Sequence, residues 1–215
     1  MAQRDAREER RRQIRDGAFE ALRKYGLPHL SYDVIATEAG ATRQLVRYHY
    51  PEPEDLMRDL CDMLAEIYRD ALISTAGQLS GPARVDAFLD FYFDLLEGKA
   101  KPKDDQVYDA MFSLAAGSEE MREALAGQYT LVGQVLSHEF AVQYPDLDQQ
   151  SAEELSYLFV ALMYGHWKMV SSLGFSEDHN RLSRAAMDRL IRSYCAENSE
   201  FRGTLPVWQR KTAQD

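Results

Sequence analysis

SYDVIATEAGATRQLVRYHYPEPEDL, residues 31–56, is the stretch that decides the fold. Ser31 is a favoured N-cap residue, and Asp33 puts negative charge into the first turn behind it, where the helix dipole stabilises an anion. Val34, Ile35 and Ala36 supply a small apolar face. Gly40 stands where a left-handed residue would close the helix. Thr42 can then cap a second helix, Arg43–His49, which carries Arg43, Gln44, Arg47, Tyr48 and His49 beside apolar Leu45 and Val46. A short helix, a glycine turn and a polar, arginine-bearing helix form a helix-turn-helix, whose second helix suits the DNA major groove.

The flanks extend this into an all-α chain. The segment to Arg12 (MAQRDAREERRR) is charged and reads as an arm. Ile14, Ala18, Leu22 and Tyr25 then share one face of an amphipathic helix that ends at Gly26-Leu27-Pro28. Downstream, Pro51-Glu52-Pro53 breaks the chain. Glu54 opens a long connector helix, lined by Leu56, Leu60, Leu64, Ile67 and Ala71, to about Gly77. Past Ser80-Gly81-Pro82 the pattern predicts helices over Val85–Leu96, Gln106–Ala116, Glu119–Gln143, a segment capped by Ser151-Ala152-Glu153-Glu154 and running to about Leu173, and Asp178–Glu197. GKAKPKDD at 98–105 reads as a charged loop. The expected division is an N-terminal three-helix bundle, 1–53, joined to a larger helical domain, 54–215.

The net charge of −10 is unevenly spread. Residues 1–50 hold 10 Lys and Arg against 7 Asp and Glu, and residues 51–215 hold 15 against 28. Local cationic charge is what neutralises phosphate, so the whole-chain value does not argue against DNA. Two cysteines, Cys61 and Cys195, have no metal-ligand spacing, and the first residues lack an apolar signal segment. With no membrane-length apolar run, these features predict a cytoplasmic protein.

The N-terminal quarter resembles the TetR-type bacterial transcriptional regulators. The likeness rests on Ile35-Ala36, Ala39-Gly40, Thr42-Arg43, Tyr48-His49-Tyr50-Pro51, Glu54 and Leu56, with Ile14, Ala18, Phe19 and Tyr25-Gly26 upstream. The resemblance implies a homodimeric repressor that binds a palindromic double-stranded operator and pairs through its last two long helices. It also implies an unidentified small-molecule effector, no cofactor and no membrane partner. Two positions depart from the family pattern: Pro53 replaces a common lysine, and Arg47 a common aromatic residue.

Candidate DNA contacts are Ser31, Thr42, Arg43, Gln44, Arg47, Tyr48 and His49. Arginine and glutamine can bond guanine and adenine edges in bidentate fashion, while Tyr48 and His49 suit phosphate; a core role for His49 is the alternative. Tyr92, Tyr108, Phe112, Tyr129, His138, Met163 and Trp167 are candidate effector contacts, because pockets combine apolar surface with a few polar groups. Each could equally be a core or interface residue. Leu155, Leu158, Phe159, Leu162, Met163 and Val170 exceed one apolar face, which fits a helix buried on two sides, in the core or across a subunit interface; Leu182, Ala186, Leu190 and Tyr194 line one face of the last helix, and the resemblance implies the interface. No HExxH, GxSxG, phosphate loop or paired-cysteine motif points to catalysis or a metal. A helical ligand-binding or protein-interaction module with weak DNA binding remains the alternative function.

Overall fold

A computed structural model describes residues 2–78, 83–96, 104–200 and 205–210, with side chains described from residue 5 and left out at 69, 71–78 and 83. It contains nine α-helices among the described residues: α1 Ala2–Tyr25, α2 Tyr32–Glu38, α3 Arg43–His49, α4 Pro53–Gln78, α5 Ala83–Tyr92, α6 Asp105–Ala115, α7 Glu119–Gln143, α8 Gln149–Trp167 and α9 His179–Ala196. No described helix is long and apolar enough to cross a membrane. Most of the 98–105 stretch lies outside the described residues.

Compactness divides the chain at places other than residue 53. One unit comprises 1–68 with 102–126, and the other 69–101 with 127–215. In the first, Ile14, Ala18, Leu22, Val46, Leu56, Leu60 and Leu64 are buried. Gly17 lets α1 approach the end of α2, where a Cβ would stand 2.5 Å from the Ala39 Cβ. Gln13 seals the crossing by donating to the Ala39 carbonyl at 2.6 Å. The α6 helix joins this unit through Gln106, whose amide nitrogen donates to the carbonyls of Leu22 (3.0 Å) and Arg23 (3.1 Å).

The second unit packs Phe88, Leu89, Phe93, Phe140, Leu155, Phe159, Met163, Met187 and Ile191 into its core. Arg184 of α9 bonds Asp86 (2.6 Å) and Asp90 (2.8 Å) of α5. His166 of α8 bonds Asn180 Oδ1 at 2.9 Å and Ser183 Oγ at 3.0 Å on α9. After α8, a π-helical turn, Lys168–Ser172, leads to Gly174 in the left-handed region.

Two sequence expectations are corrected. The first helix begins at Ala2, with no separate arm, because Ala, Arg and Glu favour helix and i,i+3 pairs such as Arg12–Glu9 and Arg10–Gln13 line it. The cap of α8 is Asp148, which accepts from the Ser151 amide at 2.8 Å; Ser151 is buried inside the helix and takes the Ser199 amide at 2.9 Å. Inward, α9 presents Asn180, Ser183, Met187 and Ile191, while Leu182 on the stripe read from the sequence is 59% exposed.

Candidate nucleic-acid interface

Local chemistry builds the helix-turn-helix. Ser31 Oγ accepts from the Val34 amide at 3.3 Å and caps α2; Thr42 Oγ1 accepts from the Leu45 amide at 3.2 Å and caps α3. Between them, Gly40 takes φ 58°, while the Gly40 amide bonds the Thr37 carbonyl and the Ala41 amide bonds the Ala36 carbonyl. That bond pair is a Schellman closure, and it fixes the direction in which α3 departs. Tyr32 then clasps the far end by donating to the carbonyls of Tyr50 (2.9 Å) and Pro51 (3.0 Å).

With Val46 fully buried, the opposite side of α3 faces out. Thr42, Arg43, Gln44, Arg47 and Tyr48 are exposed together, Tyr48 to 75%. Arg43 pairs with Asp33 at 3.0 Å across two exposed side chains, a weak pair that phosphate can displace. Gln44 and Arg47 hydrogen-bond no described side chain, so their donors are available to a ligand. Ser31 is also exposed, at the start of α2.

His49 does not join this face. It is 8% exposed, and its Nδ1 has no hydrogen-bond partner. Burial lowers its pKa below the usual histidine value, reinforced by the charges of Arg7, Arg11 and Arg10. The reason is helical phase: His49 follows Val46 by three residues and so shares its inward side. Its imidazole packs in the core beside Val46.

The sequence reading missed a polar latch beneath α3. Arg11 donates to Asp59 Oδ2 at 2.7 Å, its guanidinium lies 4.4 Å from the Tyr50 ring centroid, and the Tyr50 hydroxyl donates to Asp59 Oδ2 at 2.6 Å. Burial, then the Asp59 bond, raises the Tyr50 phenol well above its ordinary pKa. The latch ties α1, the end of α3 and α4 together. A sequence signal existed: Asp59 shares the apolar face of Leu56 and Leu60, and Arg11 that of Ile14, so both are charges on buried stripes.

The candidate effector residues fall in both units. Tyr92 and Met163 are buried in the second unit. There Tyr92 meets Phe159 and Trp167 with ring centroids 5.5 and 6.1 Å apart, and Trp167 Nε1 donates to the Tyr92 carbonyl at 2.9 Å. Tyr129 is half-buried on α7, and His138, on the same helix, lines a cleft with Trp208 and Glu153. Tyr108 and Phe112 belong to the first unit, where the Tyr108 ring lies 6.3 Å from that of Tyr68.

No protein-family model matches the chain. Over 169 residues it is 27% identical to the HTH-type transcriptional regulator BetI of Escherichia coli O17:K52:H18 (strain UMN026), covering 74% of this chain and 80% of BetI. A crystal structure of a TetR transcription regulator from Haloarcula marismortui superposes with a TM-score of 0.74 at 20% identity, over 86% of this chain and 98% of that one. The chain has the TetR-family fold. The multidrug binding protein EbrR, solved in complex with ethidium, superposes with a TM-score of 0.65 at 20% identity over 84% of this chain and 98% of EbrR.

Proposed function

We propose that the protein is a ligand-responsive transcriptional regulator, a dimer that represses by binding a palindromic operator and is released by a small molecule. The observation that carries this reading is the outward face of α3, where Thr42, Arg43, Gln44, Arg47 and Tyr48 are exposed on a capped, clasped helix. Arg43, Gln44 and Arg47 read base edges or phosphate, and Tyr48, Thr42 and Ser31 position the backbone. Pairing is supported by the outer apolar face of α8 and α9: Tyr157 and Leu182 are 50% and 59% exposed, and Leu158, Leu162 and Leu190 are half-buried. A two-fold dimer would present two copies of α3 to successive major grooves.

Effector binding is supported by the regulators that share the fold, EbrR with ethidium among them. In the proposed mechanism the effector favours one of two arrangements of α4 and so changes the spacing of the paired recognition helices. The test is a salt titration of binding to DNA from upstream of the protein's own coding sequence. Preference for that DNA over a scrambled duplex, with affinity falling steeply as salt rises, is the expected result. Equal binding to both at moderate salt overturns the operator reading. A thermal-shift screen of metabolites then identifies the effector as the compound that raises Tm and weakens DNA binding.

A further inference from the structure

A cleft of about 310 Å3 opens between α7, the first turns of α8 and the segment 205–210. The segment is seated by specific contacts. Trp208 lies against Gly133 of α7, where any Cβ would collide with the indole ring. Its Nε1 donates to Ser156 Oγ at 2.8 Å, its ring meets Tyr157 with centroids 5.4 Å apart, and the Val207 amide donates to Glu153 Oε2 at 3.0 Å. Pro206, Trp208 and Gln209 thereby form one wall of the cleft.

Two features of the lining point to a ligand. Ser137 is 5% exposed, and its hydroxyl has no hydrogen-bond partner. A buried hydroxyl left in that state destabilises the fold, and a bound donor would relieve it. Among the described residues, Glu153 is the one acidic residue lining the cleft, and no described lysine or arginine lines it. Its Oε1 accepts from Gln149 Nε2 at 3.0 Å, which holds the carboxylate in place and leaves lone pairs for a further donor. Trp208 adds an aromatic wall, which attracts cations and covers alkyl groups.

We propose that this cleft binds a small organic cation carrying N–H donors, such as a primary ammonium. Glu153 is its counter-ion, Ser137 accepts one of its hydrogens, and Trp208 covers its alkyl part. At about 310 Å3 the cleft has room for roughly ten water-sized groups of about 30 Å3 each, more than such a molecule needs. Because the 205–210 segment is a wall of the site, the ligand and the docked segment stabilise each other. The site stands whether or not the chain binds DNA.

The full chain contains two tryptophans, so an isotope-labelled sample gives two indole N–H resonances; that of Trp208 is identified by its loss in Trp208→Phe. Titration with n-butylammonium chloride should shift the Trp208 resonance saturably and leave Trp167 in place, whereas butan-1-ol should not. Glu153→Gln keeps an acceptor for the Val207 amide and should weaken binding about fivefold or more. Ser137→Ala should raise Tm without ligand yet weaken n-butylammonium binding about threefold or more. That pairing separates a ligand contact from a structural one. The proposal is overturned if the Trp208 resonance does not shift saturably, if butan-1-ol shifts it equally, or if both variants bind n-butylammonium like the parent chain.

Discussion

Helices α3 and α9 are both amphipathic, yet α9 turns polar as well as apolar residues inward and leaves a leucine outside. The short helix turns Val46 inward and sends Arg43, Gln44, Arg47 and Tyr48 out. The long one turns Asn180, Ser183 and Met187 inward and leaves Leu182 exposed. This arrangement is possible because His166 supplies both Asn180 and Ser183 with hydrogen bonds, so their burial is compensated. An outward arginine face suits a polyanion, and an outward leucine face suits another protein surface.

The strongest way to break this contrast is at the leucine face. Leu182→Glu with Leu190→Glu should turn a dimer into a monomer in sedimentation velocity. Burial of each leucine is worth about 1.5–3 kcal/mol, so the dimer dissociation constant should rise at least ~100-fold. An unchanged mass would mean that α9 does not form the contact. Next in size is Gly17→Ala, whose Cβ would meet the Ala39 backbone nitrogen at 2.6 Å. Strain of about 1–3 kcal/mol should lower the denaturant midpoint, and an unaltered midpoint would show that α1 and α2 do not cross as closely as described.

Smaller effects test the arginine face. Arg47→Ala should reduce the slope of log affinity against log salt by about 1, with little change in sequence preference, if Arg47 holds phosphate. A changed preference with the same slope would assign it to a base edge. The smallest expected effect concerns His49, whose folded pKa lies below its usual value through burial and three neighbouring arginines. The unfolded chain then takes up its proton at higher pH than the folded chain. Stability present above the ordinary histidine pKa, about 6.5, should decline as pH falls through that value toward the folded pKa. His49→Gln should flatten this part of the Tm profile; an unchanged profile would assign the decline to other groups.

Legibility in the sequence followed the range of the interactions. Ser31, Gly40 and Thr42 act within three or four residues of themselves, so the bounds of α3 could be read directly. The start of α8 could not, because Ser151 looks like a cap while Asp148 serves as one and Ser151 holds the distant Ser199 amide. The latch of Arg11, Tyr50 and Asp59 spans 48 residues and emerges only on folding. Aromatic content marked candidate effector residues without telling which unit holds each: Tyr108 and Phe112 belong to the first, Tyr92 and Trp167 to the second. Trp208 marked the cleft only through its seat on Gly133, 75 residues earlier.

The Tyr32 clasp has a thermodynamic consequence. A helix of seven residues is far too short to persist in water on its own. Capped by Thr42 and tied down at its far end by Tyr32, α3 loses its conformational freedom when the chain folds, before any partner arrives. Association with DNA would then involve little further ordering of backbone. Its calorimetric signature should be a small heat-capacity change, set by the contact surface alone, unlike that of segments that become helical only on the duplex.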